Sequence, residues 1–161
     1  MTQAQLGKGS FSECLTFRLG EEEYGIDILR VQEIRSYEVP TRIAHAPAFI
    51  KGVIDLRGVI VPIVDLRLKL NCASAEYTPF TVVIILNVGQ TVLGVVVDAV
   101  ADVVQLPSDS LKPAPHFESH VDSSFIKGIA KVGERMLIVV DIAAMLSSAD
   151  MGLLQEAAQT N

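Results

Sequence analysis

Three histidines, two cysteines and a pair of aspartates are the side chains from which metal or catalytic chemistry would have to be built in this 161-residue chain. His116 and His120 stand four apart, a spacing that unites two imidazoles on one helix face, but Pro113 and Pro115 oppose a helix there. With His45, they read as loop histidines and not as metal ligands. Cys14 and Cys72 have no CxxC spacing and read as two reduced thiols. Asp65 and Asp141 follow two similar apolar runs, so they are expected to cap the turns that come next and not to form a catalytic pair. No glycine-rich phosphate loop, HExxH, GxSxG or paired CxxC knuckle is present. Nothing sets a nucleophile beside a base, which points to a binding module and away from an enzyme.

Two charges stand out instead. Arg57 sits at the tip of an apolar hairpin, Phe49 to Leu66, whose halves meet at Leu56-Arg57-Gly58. Glu33 lies in the apolar segment Val31 to Ile34. A charge in such a place either protects a sheet edge by facing solvent or contacts a partner. Residue types leave both open. Guanidinium favours the second at a tip, since it makes planar bidentate contacts with carboxylates that lysine cannot reproduce.

Half of the residues are apolar and 20% are charged, too apolar for disorder, and the length suffices for one compact domain or two very small ones. The formal charge of −6 opposes nucleic-acid binding, which needs a basic face. No apolar run reaches the roughly 18 residues of a spanning helix, so no membrane insertion is expected. Residues 1–12 are polar, lack the plan of a signal peptide, and read as a flexible tail.

The elements that must position Arg57 and Glu33 come in two copies. Phe49-Ile50-Lys51-Gly52-Val53 recurs as Phe125-Ile126-Lys127-Gly128-Ile129, and the same spacing, 125 − 49 = 76, pairs Val61 to Leu66 with Leu137 to Ile142. Upstream, Tyr24 to Ile28 pairs with Leu93 to Val97 at 94 − 25 = 69, which also carries Val31 onto Val100 and Ile34 onto Val103. Ala46-Pro47 returns as Ala114-Pro115, which puts an insertion within His116 to Ser124. Each copy holds about five short strands, the content of a small barrel. The expected fold is mainly β: two five-stranded barrels, about 14–72 and 82–146, sharing an apolar interface because units of this size are marginal alone, with an exchange of strands between the two left open. Strands are expected at 14–19, 24–28, 31–34, 41–44 and in the Phe49 to Leu66 hairpin, then at 82–88, 92–97, 100–106, 125–132 and 136–142. Asp65 is placed to cap a short helix over 66–70. A C-terminal helix is expected over 148–158, its Met151, Leu154 and Ala158 sharing one face.

The ordered motifs Gly25-Ile26-Asp27-Ile28-Leu29-Arg30-Val31-Gln32-Glu33-Ile34, Ala46-Pro47-Ala48-Phe49-Ile50-Lys51-Gly52, Leu56-Arg57-Gly58-Val59-Ile60-Val61-Pro62-Ile63-Val64-Asp65-Leu66 and Arg135 to Ile142 resemble the CheW family of chemotaxis coupling proteins over residues 13–158. The resemblance implies SH3-like barrels, no catalytic activity, no cofactor, and a cytoplasmic adaptor working at receptor arrays. It implies two partners: the CheW-like regulatory domain of the histidine kinase CheA, met barrel end to barrel end, and the cytoplasmic tip of methyl-accepting chemoreceptors. A free monomer is expected. Carried over by position, Val31 and Glu33 fall in the receptor-facing groove, and Gly52, Leu56, Arg57 and Gly58 on the hairpin linked to coupling. Ile28, Val100 and Val103 fall at groove or inter-barrel contacts. Gly52 has a twin in Gly128, which also gives it an architectural reading. Members often carry Asn before Leu-Arg-Gly. Here it is Asp55, a carboxylate placed to hold the Arg57 guanidinium locally. The alternatives are an adaptor of another chemosensory-type array, for surface motility or developmental signalling, and a small ligand-binding barrel or enzyme.

Overall fold

The computed structural model describes residues 11–69, 76–107, 109–113, 126–145, 152 and 154. Among these residues, runs of Val, Ile and Leu at strand length fold as ten strands, eight of them joined in four hairpins by two-residue turns. These are β1 (Phe11–Leu19), β2 (Glu22–Asp27), β3 (Val31–Ser36), β4 (Ile50–Leu56), β5 (Val59–Asp65), β6 (Val82–Val88), β7 (Thr91–Val97), β8 (Ala99–Pro107), β9 (Ile126–Val132) and β10 (Arg135–Val140). A 3-10 turn, Ile28–Arg30, separates β2 from β3, fixed where the Asp27 carboxylate accepts the Leu29 N–H at 2.9 Å. Two one-turn helices follow β5 and β10: α1 (Leu66–Lys69) and α2 (Ile142–Met145). Asp65 and Asp141 do cap them, accepting the N–H of Arg67 and Ala143 at 3.0 Å each.

The strands form two five-stranded sheets, ordered β8-β1-β2-β10-β9 and β3-β6-β7-β5-β4. The repeat turns one order into the other, since β1 to β5 correspond to β6 to β10. Each sheet therefore takes a hairpin from one copy and three strands from the other. The seam is a parallel pairing in both: Val139 lies beside Gly25, and its counterpart Ile63 lies beside Gly94. The sheets are thus not the halves 14–72 and 82–146. Chain connectivity explains this. Only Asp98 separates β7 from β8, too short a link for a hairpin in the same sheet, so the chain crosses to the other one.

Alternation along the strands then builds three cores. On β10, Ile138 and Val140 join a cluster common to both sheets, whereas Leu137 and Val139 enter a second cluster with Cys14, Val104, Leu106 and Ala130. On β6, Ile84, Leu86 and Val88 face the common cluster, while Val83 and Ile85 face a third with Leu56, Val61, Ile63 and Val96. The second and third clusters are each enclosed by strands of one sheet alone, so each sheet curls over its own cluster, giving two SH3-like barrels packed back to back across the common one.

The free edge of β4 is covered by a single bridge from Thr41 to Val53, both backbone N–H···O bonds being 2.9 Å, where a strand over 41–44 was expected. The two prolines flanking it, Pro40 and Pro47, leave no room for a longer ladder. Gly52 allows this approach. Its φ is +142°, and a Cβ there would stand 2.0 Å from the Thr41 carbonyl oxygen. Gly128 does the same against the Lys112 carbonyl on β9, at 2.6 Å, so both glycines are architectural. β1 begins at Phe11, inside the segment expected as a tail. Of the expected C-terminal helix, Gly152 and Leu154 are helical, and Leu154 is fully buried in the common core. Met151, Ala158 and the rest of that helix lie outside the described residues, as does Cys72.

Candidate partner-binding site

The β4–β5 hairpin closes through Arg57-Gly58, with Leu56 opposite Val59 and φ of +53° and +89° at the two turn residues. Positive φ at both is the type I′ turn that matches strand twist. The first of these positions is glycine in the other three hairpins: Gly20, Gly89 and Gly133, at φ of 61° to 64°. A left-handed non-glycine residue costs about 1 kcal/mol or more, so the backbone bears strain to hold an arginine there.

Asp55 does not hold the guanidinium. Its carboxylate accepts the Gly58 N–H at 2.7 Å and clamps the turn. Arg57 instead crosses to β3, donating Nη2 to Glu33 Oε1 at 2.9 Å and Nη1 to Glu33 Oε2 at 3.4 Å. The ion pair joins edge strand β3 to the hairpin at the opposite edge of the same sheet. Arg57 remains 65% exposed, so its outer edge still faces solvent. Arg35 adds a second cation 4.0 Å from Glu33.

The other sheet carries a related arrangement. Asp102 is the counterpart of Glu33 (102 − 33 = 69), and Arg135, the first residue of β10 after the β9–β10 turn, donates to it at 3.4 Å and to Glu23 at 3.0 Å. The buried Thr16 hydroxyl donates to Asp102 at 2.6 Å, and with Arg135 it holds that carboxyl below the usual range.

Of the residues singled out in the sequence, the structure brings together Glu33, Arg57 and Gly58. Val31 is half-buried at the start of β3 and packs against the common core. Gly52 and Leu56 are buried and support the hairpin from beneath. Val100 and Val103 lie on β8 in the other sheet, Val100 against the common core with Ile28 and Val103 exposed. Ile34, next to Glu33 along β3, and Val59, which follows the Arg57-Gly58 turn, are exposed and were missed by sequence reasoning. Their signal was an apolar residue on each strand next to the charged one.

A second polar arrangement was missed entirely. Arg67 is fully buried: Nε and Nη2 bind the two oxygens of the equally buried Asp65, and Nη1 reaches Asp98 at 2.9 Å and the Glu76 carbonyl at 2.6 Å. Burial alone would lower its pKa, but the bonds to Asp65 and Asp98 outweigh burial and hold it above its ordinary value. Tyr77 donates its hydroxyl to Asp65 at 2.8 Å, stacks on Tyr37 with ring centroids 4.4 Å apart, and lies under the Arg67 guanidinium. Asp65 has a counterpart in Asp141, yet Arg67 faces Ala143 across the repeat, so the cap is shared and the arginine is not.

Two curled sheets with exposed charged tips, and with every buried side-chain polar atom among the described residues hydrogen-bonded, make up a small β scaffold. The chain belongs to the CheW family and is a chemotaxis adaptor: the family model for the CheW-like domain matches residues 13–150. It is 53% identical over 149 residues to the chemotaxis protein CheW of Klebsiella aerogenes, covering 92% of this chain and 90% of that one. With the CheW of Rhizobium meliloti it shares 36% over 136 residues, 84% of this chain and 88% of the other. The solved scaffolding protein TtCheW of Thermoanaerobacter tengcongensis superposes with a TM-score of 0.78 at 31% identity, covering 85% and 88% of the two chains.

Proposed function

We propose that this chain couples methyl-accepting chemoreceptors to the histidine kinase CheA, without catalysis of its own, at membrane-associated arrays that it joins through its partners. The observation that carries the reading is Arg57, held at a strained turn position and paired with Glu33 while its outer edge stays open. In this reading the receptor tip lies along β3 at Val31 and Glu33, with exposed Ile34 and Val59 as apolar flanks. A carboxylate brought by the partner competes with Glu33 for the guanidinium, so occupancy of β3 is passed to the β4–β5 hairpin. The kinase's CheW-like regulatory domain meets the barrels end to end. Val100 and Val103 on β8 extend the contact surface onto the other sheet.

The test is reconstitution of the chain with a receptor signalling tip and the kinase regulatory domain. A complex with each, and loss of kinase activation in Arg57→Ala with an unchanged fold, is the expected outcome. No complex with either partner overturns the reading.

A further inference from the structure

A groove of about 510 Å³ opens beside β4, lined by Tyr37, Val39, Arg42, Ile43, Lys51 and Tyr77 among others. Three features set it apart from a chance surface dent. Its aromatic wall is prebuilt: Tyr77 is 41% exposed, yet its hydroxyl is tied to buried Asp65, and its ring is fixed between the neighbouring Tyr37 ring and the cation of fully buried Arg67. Such preorganisation removes the ordering cost of binding. The groove is apolar and locally basic in a chain of net charge −6. Val39 is 84% exposed, Arg42 has no ion-pair partner among the described residues, Lys51 lies over the Tyr77 ring at 5.7 Å, and no carboxylate is among the lining residues. Lastly, the other sheet repeats it only in part, as a smaller pocket of about 150 Å³ in which Lys127 stands for Lys51 (127 − 51 = 76) but the lining has no aromatic residue and includes the Asp27 carboxylate. Leu106 stands where Tyr37 would (106 − 37 = 69), and Ala143 where Arg67 would. Whatever the pseudo-symmetry fails to explain as architecture is left for function.

We infer that this groove docks an extended acidic segment of a partner protein, an apolar side chain of that segment resting against Tyr37 and Tyr77 while its carboxylates meet Arg42 and Lys51. The charge complementarity chooses the occupant: a basic segment would be repelled by both cations, and a neutral apolar one would leave them unused. This surface is separate from the Arg57–Glu33 pair and does not depend on it.

The experiment follows amide shifts of the isotope-labelled full chain during titration with a short synthetic peptide of alternating glutamate and leucine, with a lysine–leucine peptide as control. Saturable shifts at Tyr37, Lys51 and Tyr77 with the acidic peptide alone are expected. The exposed substitution Arg42→Glu, which leaves the remaining spectrum in place, should weaken binding about fivefold, the scale of one rim charge reversed. Equal response to both peptides, shifts that map elsewhere, unchanged affinity in Arg42→Glu, or the same shifts on concentrating the chain without peptide, which would make a second copy the occupant, each overturn the inference.

Discussion

Arg57 grips both oxygens of Glu33, at 2.9 and 3.4 Å, from a turn position that the three other hairpins give to glycine. Replacing it with glycine relieves about 1 kcal/mol of left-handed strain and removes an exposed ion pair worth under about 1 kcal/mol. Arg57→Gly should therefore melt within a few degrees of the parent, whereas Arg57→Ala keeps the strain, loses the pair and melts lower. Both should fail to support kinase activation in the reconstituted complex. An Arg57→Gly variant that loses as much as about 2 kcal/mol in urea unfolding would show that the arginine serves stability instead.

Gly52→Ala should destabilise by more than about 2 kcal/mol, because backbone approach and positive φ are violated together. The added Cβ would meet the Thr41 carbonyl at 2.0 Å. Gly133→Ala is the control: it has a positive φ but open space, and should cost about 1 kcal/mol. Hydrogen exchange at the Thr41 and Val53 amides should rise in the first variant and not in the second.

Arg67→Met leaves the Asp65 carboxylate buried with its cation gone, and should cost about 3–5 kcal/mol. The double variant Asp65→Asn, Arg67→Met removes the orphaned charge and should recover part of that loss. Urea unfolding of the three proteins checks it. A double variant no better than the single would show that the hydrogen bonds to Glu76 and Asp98, and not the charge balance, dominate.

Asp102 gives the acid response a predictable sign. The Thr16 hydroxyl, then Arg135, lowers its folded pKa below its unfolded one. Its contribution is present above the ordinary carboxylate range near about 4 and is lost as pH falls through the lowered folded value. Thr16→Val should bring the Asp102 titration, followed by carboxyl NMR, back up toward the ordinary value. An unmoved midpoint would assign the shift to Arg135 alone.

Much of the architecture was legible because side-chain alternation is a local property. The apolar runs of β4 to β7 and β10 and the capping aspartates could be read directly, and the repeat revealed a duplicated unit. Alternation states which face a residue takes but not which strand lies beside it, so an exchange of strands could be entertained from the repeat but which hairpin crosses to which sheet left no local trace. The same limit hid the partner of Arg57. Asp55 was the near carboxylate in sequence, but it sits closest to the Gly58 N–H in a two-residue turn, and the guanidinium turns to Glu33 on another strand. Arg67 was obscured by Leu66 and Leu68, which read as an ordinary helix start. Its contrast with Ala143 was available once the copies were aligned.

The crossed connectivity also imposes a timetable on synthesis. The sheet β3-β6-β7-β5-β4 is encoded within residues 31–97 and can close as soon as they emerge. The other cannot: Leu15 waits for Val103 and Tyr24 for Ile138. Until then the β1–β2 hairpin carries Phe17, Tyr24 and Ile26 without their sheet neighbours. Long-range pairing of this kind is slow and leaves apolar strand edges open to aggregation. Nascent chains stalled just after residue 107 should therefore engage chaperones more strongly than those that have released β10.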